Sequence, residues 1–248
     1  MNKNRKIKIV ILAAGKGTRM ESDLPKVLAP LKGKNMIRHV IESVQKASNE
    51  KPIAIIGHKA ELVQSDLGDL CFYVLQKEQL GTGHAVSCAK GDCEGAEDIV
   101  VLSGDQPFIK AETIKNLIEK HLETGAKITL ATTIPLDFSD WKKAFLVYGR
   151  ILRENGKIIG IREFKNATDK EKEIKEVNTG CYMFNADWLW KNLDKIENKN
   201  AQGEYYLTDL FHIAFENGDK IESIEIEPHE ALGANTKEDL EVLENFAV

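Results

Sequence analysis

Residues 7–20, IKIVILAAGKGTRM, decide the fold. The run 7–12 is almost unbroken in Ile, Val and Leu, which predicts a strand covered on both faces. Ala13, Ala14, Gly15 and Gly17 follow at once, and such small residues let backbone N–H groups approach a base, a ribose or phosphate oxygens. In an open α/β sheet, ligands bind in the crevice beyond the carboxyl ends of the strands. Arg19 and Lys26 add two cations seven positions apart, on either side of a turn. The segment is not a P-loop, since GxxxxGK[ST] is absent, and the GxG of Gly15 and Gly17 meets Met20 where a dinucleotide fingerprint needs a third glycine. On these residues alone, a glycine turn with incidental surface cations stays open.

Working outward, apolar runs at 52–57, 72–75 and 99–103 predict further strands, with helices at 35–47, 60–67, 82–89 and 111–123. This alternation implies a mostly parallel sheet with right-handed crossovers. After about residue 127, the runs 127–133, 148–153, 157–161 and 181–184 read as a more antiparallel set, with Asn155-Gly156 as a hairpin turn. Helices are expected at 186–193 and 205–217, then a strand at 220–226 and a closing helix from 237. The charged stretch 165–176 reads as a solvated loop able to fold over a site. The expected fold is α/β: a single mixed sheet of Rossmann-like type, mostly parallel, with a smaller antiparallel substrate-side part. We expect one domain over 1–248, divided near 126 into a nucleotide half and a substrate half.

The charge balance, 34 basic against 39 acidic residues, argues against a nucleic-acid partner. No run approaches the apolar length of a membrane span. The basic start and the apolar run 7–14 pass straight into the glycine loop, so they read as a strand and not as a cleaved leader. Four cysteines without a CxxC pair call for no disulfide framework, which points to a reducing cytoplasm.

LAAGKGTRM (12–20) followed by Pro25-Lys26 resembles the nucleotidyltransferases that join a sugar 1-phosphate to a nucleoside triphosphate. GHKAELV (57–63), QKEQLGTGHAV (76–86), LSGDQP (102–107), YGRILR (148–153), EVNTGCYMF (176–184), NAQGEYYLTDL (200–210) and GANTKEDL (233–240) extend the likeness. Together they resemble the uridylyltransferase domain of the bifunctional bacterial enzyme that forms UDP-N-acetylglucosamine. The resemblance implies a nucleotide-diphospho-sugar transferase fold, UTP and N-acetylglucosamine 1-phosphate as substrates, and Mg²⁺ as cofactor. It implies that Leu12, Ala13, Ala14, Gly15, Gln76, Gly81 and Thr82 bind the nucleotide. Gly149, Glu163, Asn178 and Thr179 would bind the sugar phosphate, Arg19 and Lys26 would act as catalytic cations, and Asp105 with Asn235 would hold the metal. No hexapeptide repeats of a left-handed β-helix occur, so acetyltransferase activity is not expected and a monomer or small homo-oligomer is.

The residues themselves support these roles while leaving some alternatives open. Asp105 at a strand end is a hard oxygen ligand suited to Mg²⁺, or a cap of the turn before Pro107. Asn235 suits the metal, or caps the helix that follows it. Gln76 offers an amide for a pyrimidine edge, although outside its motif it would read as a surface residue. His58 and His84 read as structural hydrogen-bonding groups, because an attacking phosphate oxygen is already anionic. Tyr205 and Tyr206 read as packing near the site, and Trp188 and Trp190 as core. Ser103, Phe164 and Asn166 depart from the family's pattern beside the sugar pocket. Rival readings are a different sugar phosphate, a cytidylyltransferase, and a non-catalytic homologue that binds a nucleotide sugar.

Overall fold

The decisive run forms β1 (Ile7–Ala13), an interior strand of a nine-stranded sheet. Ile9, Ile11 and Ala13 enter one core layer and Val10 the other, which is why no polar residue interrupts 9–13. The computed structural model describes residues 5–17, 20 and 23–246. After β1 come a small hairpin of β2 (Pro30–Leu31) and β3 (Lys34–Asn35), then α1 (Met36–Ala47), β4 (Ile53–Ile56), α2 (Ala60–Leu67) and β5 (Phe72–Leu75). The chain continues through α3 (Thr82–Cys88), β6 (Asp98–Ser103), α4 (Ala111–Thr124), β7 (Ile128–Thr133), β8 (Arg150–Glu154) and β9 (Lys157–Arg162). It ends with α5 (Asp169–Lys172), β10 (Val177–Asn185), α6 (Ala186–Leu193), α7 (Asp209–Glu216), β11 (Ile221–Glu225) and α8 (Lys237–Phe246).

The sheet order is β11-β7-β10-β6-β1-β4-β5, with β8 joined to β10 and β9. Val40, Val63 and Leu117 from α1, α2 and α4 cover one face. Val86, Leu189 and Phe211 from α3, α6 and α7 cover the other. From β1 the chain builds outward to β4 and β5, then returns to β6 on β1's other side. That reversal opens a crevice beyond the paired ends Leu12 and Ser103. No helix among the described residues is long and apolar enough to cross a membrane.

Three expectations change in detail. Residues 127–133 read as part of an antiparallel set, yet β7 and its parallel neighbour β11 point the same way as β1. Only β10, inserted between β6 and β7, reverses this path; apolar patterning reports coverage of both faces and carries no strand direction. The helix expected over 205–217 begins only at Asp209. The backbone before it is tied elsewhere: Tyr205 N–H donates to the Leu80 carbonyl at 2.8 Å and its carbonyl accepts from Gly83 N–H at 2.8 Å. Within 165–176, a capping box between Thr168 and Glu171 starts the short α5. The hairpin turn holds as expected, with Asn155 and Gly156 both at positive φ between β8 and β9. The described cysteines are free, and burial pushes the Cys71 and Cys181 thiols up to about 12, as suits core residues.

Candidate active site

The loop after β1 is held by its neighbours' backbones. His58 N–H donates to the Ala14 carbonyl at 3.2 Å, and Gly104 N–H donates to the Leu12 carbonyl at 2.9 Å. A Cβ on Gly104 would sit 2.9 Å from that same oxygen, so the turn carrying Asp105 can approach β1 only as glycine. Gly17, at φ 62°, packs where a Cβ would lie 2.6 Å from Lys26 Cβ, folding the loop over the lysine stem. These contacts wall a cleft of about 550 Å³. Leu12, Ala13, Ala14 and Gly15 line one side of it, and Lys26, Gln76, Gly81 and Thr82 also face it. Arg19 lies outside the described residues.

Asp105, Asn235 and Lys26 converge where this cleft ends. Lys26 Nζ lies 2.5 Å from Asp105 Oδ2 and donates to Asn235 Oδ1 at 3.0 Å, although 209 positions separate it from Asn235. The alternative role of Asn235 as a helix cap falls to other residues. Asp239 accepts from Thr236 N–H at 3.0 Å and Thr236 Oγ1 accepts from Asp239 N–H at 3.1 Å, a capping box that leaves the Asn235 side chain to the site. Two oxygens thus already surround one cationic nitrogen. No cluster of three or more His, Cys, Asp or Glu that could hold a metal occurs among the described residues. This donor set suits Mg²⁺, which takes few protein oxygens and keeps its waters or phosphate oxygens.

A second cavity of about 210 Å³ adjoins the first and shares Leu12, Thr82, Ser103 and Asp105 with it. Gly149, Glu163, Asn178 and Thr179 all border it. Asn178 and Thr179 stand at a register shift in β10, beside Gly180 at φ 77°. A Cβ on Gly180 would lie 2.9 Å from Ser103 Oγ, so the small Ser103 and the bulge accommodate each other. Asn178 donates to the Tyr182 hydroxyl at 2.6 Å and accepts from Gly180 N–H at 3.2 Å. Thr179 turns its side chain away: its hydroxyl donates to the Ala131 carbonyl at 2.7 Å and it is 1% exposed, leaving its backbone to meet the cavity.

Glu163 accepts from the Thr208 hydroxyl at 2.8 Å, while burial, joined by the charges of Asp209 and Glu204, raises its carboxyl above the ordinary value. The folded state therefore holds the proton more tightly than the unfolded chain, and stability falls as pH rises from near 4.5 through the raised value. Glu163→Gln should melt higher than the wild type at high pH, with the gain vanishing at acid pH. Thermal melts across pH check this, and a gain that does not vary with pH would sink it.

Sequence reasoning passed over Gln106 and Tyr148, which build the site, and read Tyr206 only as packing near it. Gln106 is 7% exposed and donates from Nε2 to the carbonyls of Thr179 and Ala231, tying β10 to the turn before Asn235. The Tyr148 hydroxyl donates to the Ala231 carbonyl at 3.0 Å and accepts from Gly233 N–H at 3.2 Å. Tyr206 lines a further hollow with Glu163 and Asn235, its buried hydroxyl without a hydrogen-bond partner among the described residues. Gln106 and Tyr148 stood inside the quoted motifs, but nothing local distinguishes a buried bridging amide from a surface one. Phe164 and Asn166 also gain a reason: the Phe164 ring lies 5.4 Å from the buried Arg150 guanidinium, and Asn166 accepts from Ala201 N–H at 3.2 Å.

A crevice at the switch point, floored by a glycine-rich loop and ended by a carboxylate beside a lysine, is where an open α/β sheet of this kind takes its ligand. The chain belongs to the MobA-like NTP transferase domain family, whose profile matches residues 9–146. Its similar relatives are bifunctional GlmU proteins, in agreement with the motif resemblance. It is 42% identical over 244 residues to "Bifunctional protein GlmU" of Desulfotalea psychrophila, covering 97% of this chain and 70% of that protein. It is 43% identical over 239 residues to the protein of that name in Desulfitobacterium hafniense, covering 96% and 51%. For Geobacillus thermodenitrificans the figures are 47% over 211 residues, covering 84% and 44%. The chain spans about half the length of most of these curated relatives. Among solved structures, UDP-glucose pyrophosphorylase complexed with UDP-glucose superposes with TM-score 0.75 at 18% identity, covering 98% of both chains. A chain assigned as a glucose-1-phosphate thymidylyltransferase from Bacillus anthracis superposes with TM-score 0.76 at 22% identity, covering 97% of this chain and 95% of that one. These two likenesses speak to the fold.

Proposed function

We propose that this chain is a cytoplasmic uridylyltransferase that makes UDP-N-acetylglucosamine and pyrophosphate from UTP and N-acetylglucosamine 1-phosphate. One observation carries the reading: a cleft walled by the glycine loop and Gln76, and a cavity walled by Glu163 and Asn178, meet at Asp105, where Lys26 and Asn235 converge. The GlmU relatives support the choice of substrates. Residues 1–248 act as one unit, the first half serving the nucleotide and the second the sugar phosphate.

In the reaction, a phosphate oxygen of the sugar phosphate forms a bond to the α-phosphorus of UTP. The bond from that phosphorus to its bridging oxygen breaks, and pyrophosphate leaves with the electron pair. The attacking oxygen already carries negative charge, so no side chain has to remove a proton, and catalysis reduces to positioning and charge stabilisation. Leu12, Ala13, Ala14, Gly15, Gln76, Gly81 and Thr82 hold the nucleotide, with its base against Gln76 and Gly81. Glu163 and Asn178 hold the sugar's polar groups, together with the backbone at Gly149 and Thr179. Lys26 and Arg19 offset the phosphate charge. Asp105 and Asn235 would hold Mg²⁺, which supplies Lewis-acid stabilisation of phosphate oxygens when bound.

The test is pyrophosphate release with UTP, Mg²⁺ and a panel of sugar 1-phosphates, with an EDTA control. N-acetylglucosamine 1-phosphate should be the fastest acceptor, and EDTA should abolish release. A faster acceptor would reassign the sugar, and no release with any sugar phosphate would reject the reading.

A further inference from the structure

Gln76 is 3% exposed, yet it borders the nucleotide cleft, and its amide is held from two sides. Nε2 donates to the Gly81 carbonyl at 3.2 Å and faces His84 Nδ1 at 3.0 Å. A carbonyl can only accept, so the Gly81 contact decides which end of the amide is nitrogen. An N–H aimed at Nδ1 in turn requires that nitrogen to be the acceptor, so neutral His84 carries its proton on Nε2. Nε2 lies 4.0 Å from the Cys88 sulfur. Gln79 Nε2 donates to the Gln76 carbonyl at 3.0 Å, which steadies the backbone beneath the amide. Both amide hydrogens of Gln76 are therefore engaged inside the protein. Oε1, an acceptor, is what remains for a ligand.

We infer that His84 is a specificity-setting positioning residue: by accepting from Gln76 it locks the amide so that the cleft presents an oxygen to the base. This rests on the uridylyltransferase reading and deepens it. Uracil carries a hydrogen on N3 and matches that oxygen, whereas cytosine carries a lone pair on N3 and opposes it. His84 itself borders a separate hollow of about 230 Å³ together with Ser87 and Asp194, and it acts on the nucleotide through Gln76. Without it, only the Gly81 contact opposes rotation of the amide, and a rotated amide offers N–H to cytosine N3.

The experiment compares UTP and CTP, as substrates and by calorimetric binding, in the wild type, His84→Leu and His84→Asn. In His84→Leu the KM for UTP should rise and that for CTP should fall, lowering the preference for UTP by about tenfold or more; one acceptor lost from a buried amide is a change of that order. His84→Asn, whose Oδ1 stands near the position of Nδ1, should restore the preference. Equal weakening of both nucleotides, or an unchanged preference in His84→Leu, would overturn the inference. Nitrogen-15 spectra of the wild type give a readout that no variant's folding can spoil: His84 should be the Nε2–H tautomer, and the Nδ1–H tautomer would overturn the locking. A wild type with no preference for UTP would instead overturn the uridylyltransferase reading, while the tautomer still judges the lock.

Discussion

Lys26→Met is expected to lower kcat/KM by on the order of 10²-fold, the loss typical of one preorganised electrostatic donor. Methionine keeps the unbranched stem against which Gly17 packs, where a Cβ would lie 2.6 Å away, and removes only the ammonium. That ammonium stands 2.5 Å from Asp105, which borders both cavities, and 3.0 Å from Asn235, which borders the second. The Lys26 and Asp105 side chains are only 18% and 16% exposed, so water screens a phosphate charge there less than at the surface. Lys26→Arg should recover part of the loss, since it restores the charge but brings a wide planar fork in place of a compact ammonium. Steady-state kinetics in both substrates decide the matter. Wild-type turnover in Lys26→Met would remove this residue from the mechanism.

Arg150→Met should cost about 3–5 kcal/mol of stability, a drop in melting temperature of roughly 10 °C for a chain of this size. Arg150 is fully buried. Its guanidinium donates to the carbonyls of Phe145 at 3.2 Å, Leu146 at 3.0 Å, Tyr148 at 2.5 Å and Lys172 at 3.2 Å. The rings of Phe138 and Phe164 flank it at 5.1 and 5.4 Å. Methionine fills similar volume but leaves those carbonyls facing an apolar chain, and an unsatisfied buried acceptor costs far more than a net hydrogen bond contributes. Because Tyr148 and Phe164 line the cavities on the sugar side, KM for the sugar phosphate should rise more than KM for UTP. Differential scanning calorimetry and paired KM values check both halves. An unchanged melting temperature would reject the account of Arg150.

Much of the layered architecture could be read from short stretches. Ile9, Val10 and Ile11 alternate between the two core layers, and the same alternation in Ile99, Val100 and Val101 explains why these stretches carry no polar residue. The direction of β7 could not be read, because coverage on both faces is the same for a parallel and an antiparallel strand. The start of α7 could not be read either, since Tyr205 gives its backbone groups to Leu80 and Gly83, more than a hundred positions earlier.

The site divides along the same line. Small residues after β1, a carboxylate after β6 and the closing GANT turn were recognisable because each is a local requirement: close backbone approach, a strand end, a helix start. Local pattern therefore led to the α/β class and the glycine loop, while the residues expected around the two cavities came from the resemblance of the motifs to a known family. Folding alone decided that Lys26 lies between Asp105 and Asn235, that Thr236 caps α8 so Asn235 is free to join them, and that the Thr179 hydroxyl turns into the sheet. It likewise decided that Gln106, His84 and Arg150 brace the site from behind. The reason is physical: a hydrogen bond depends on a few ångströms and an angle, and sheet order brings together partners whose separation along the chain carries no trace of either.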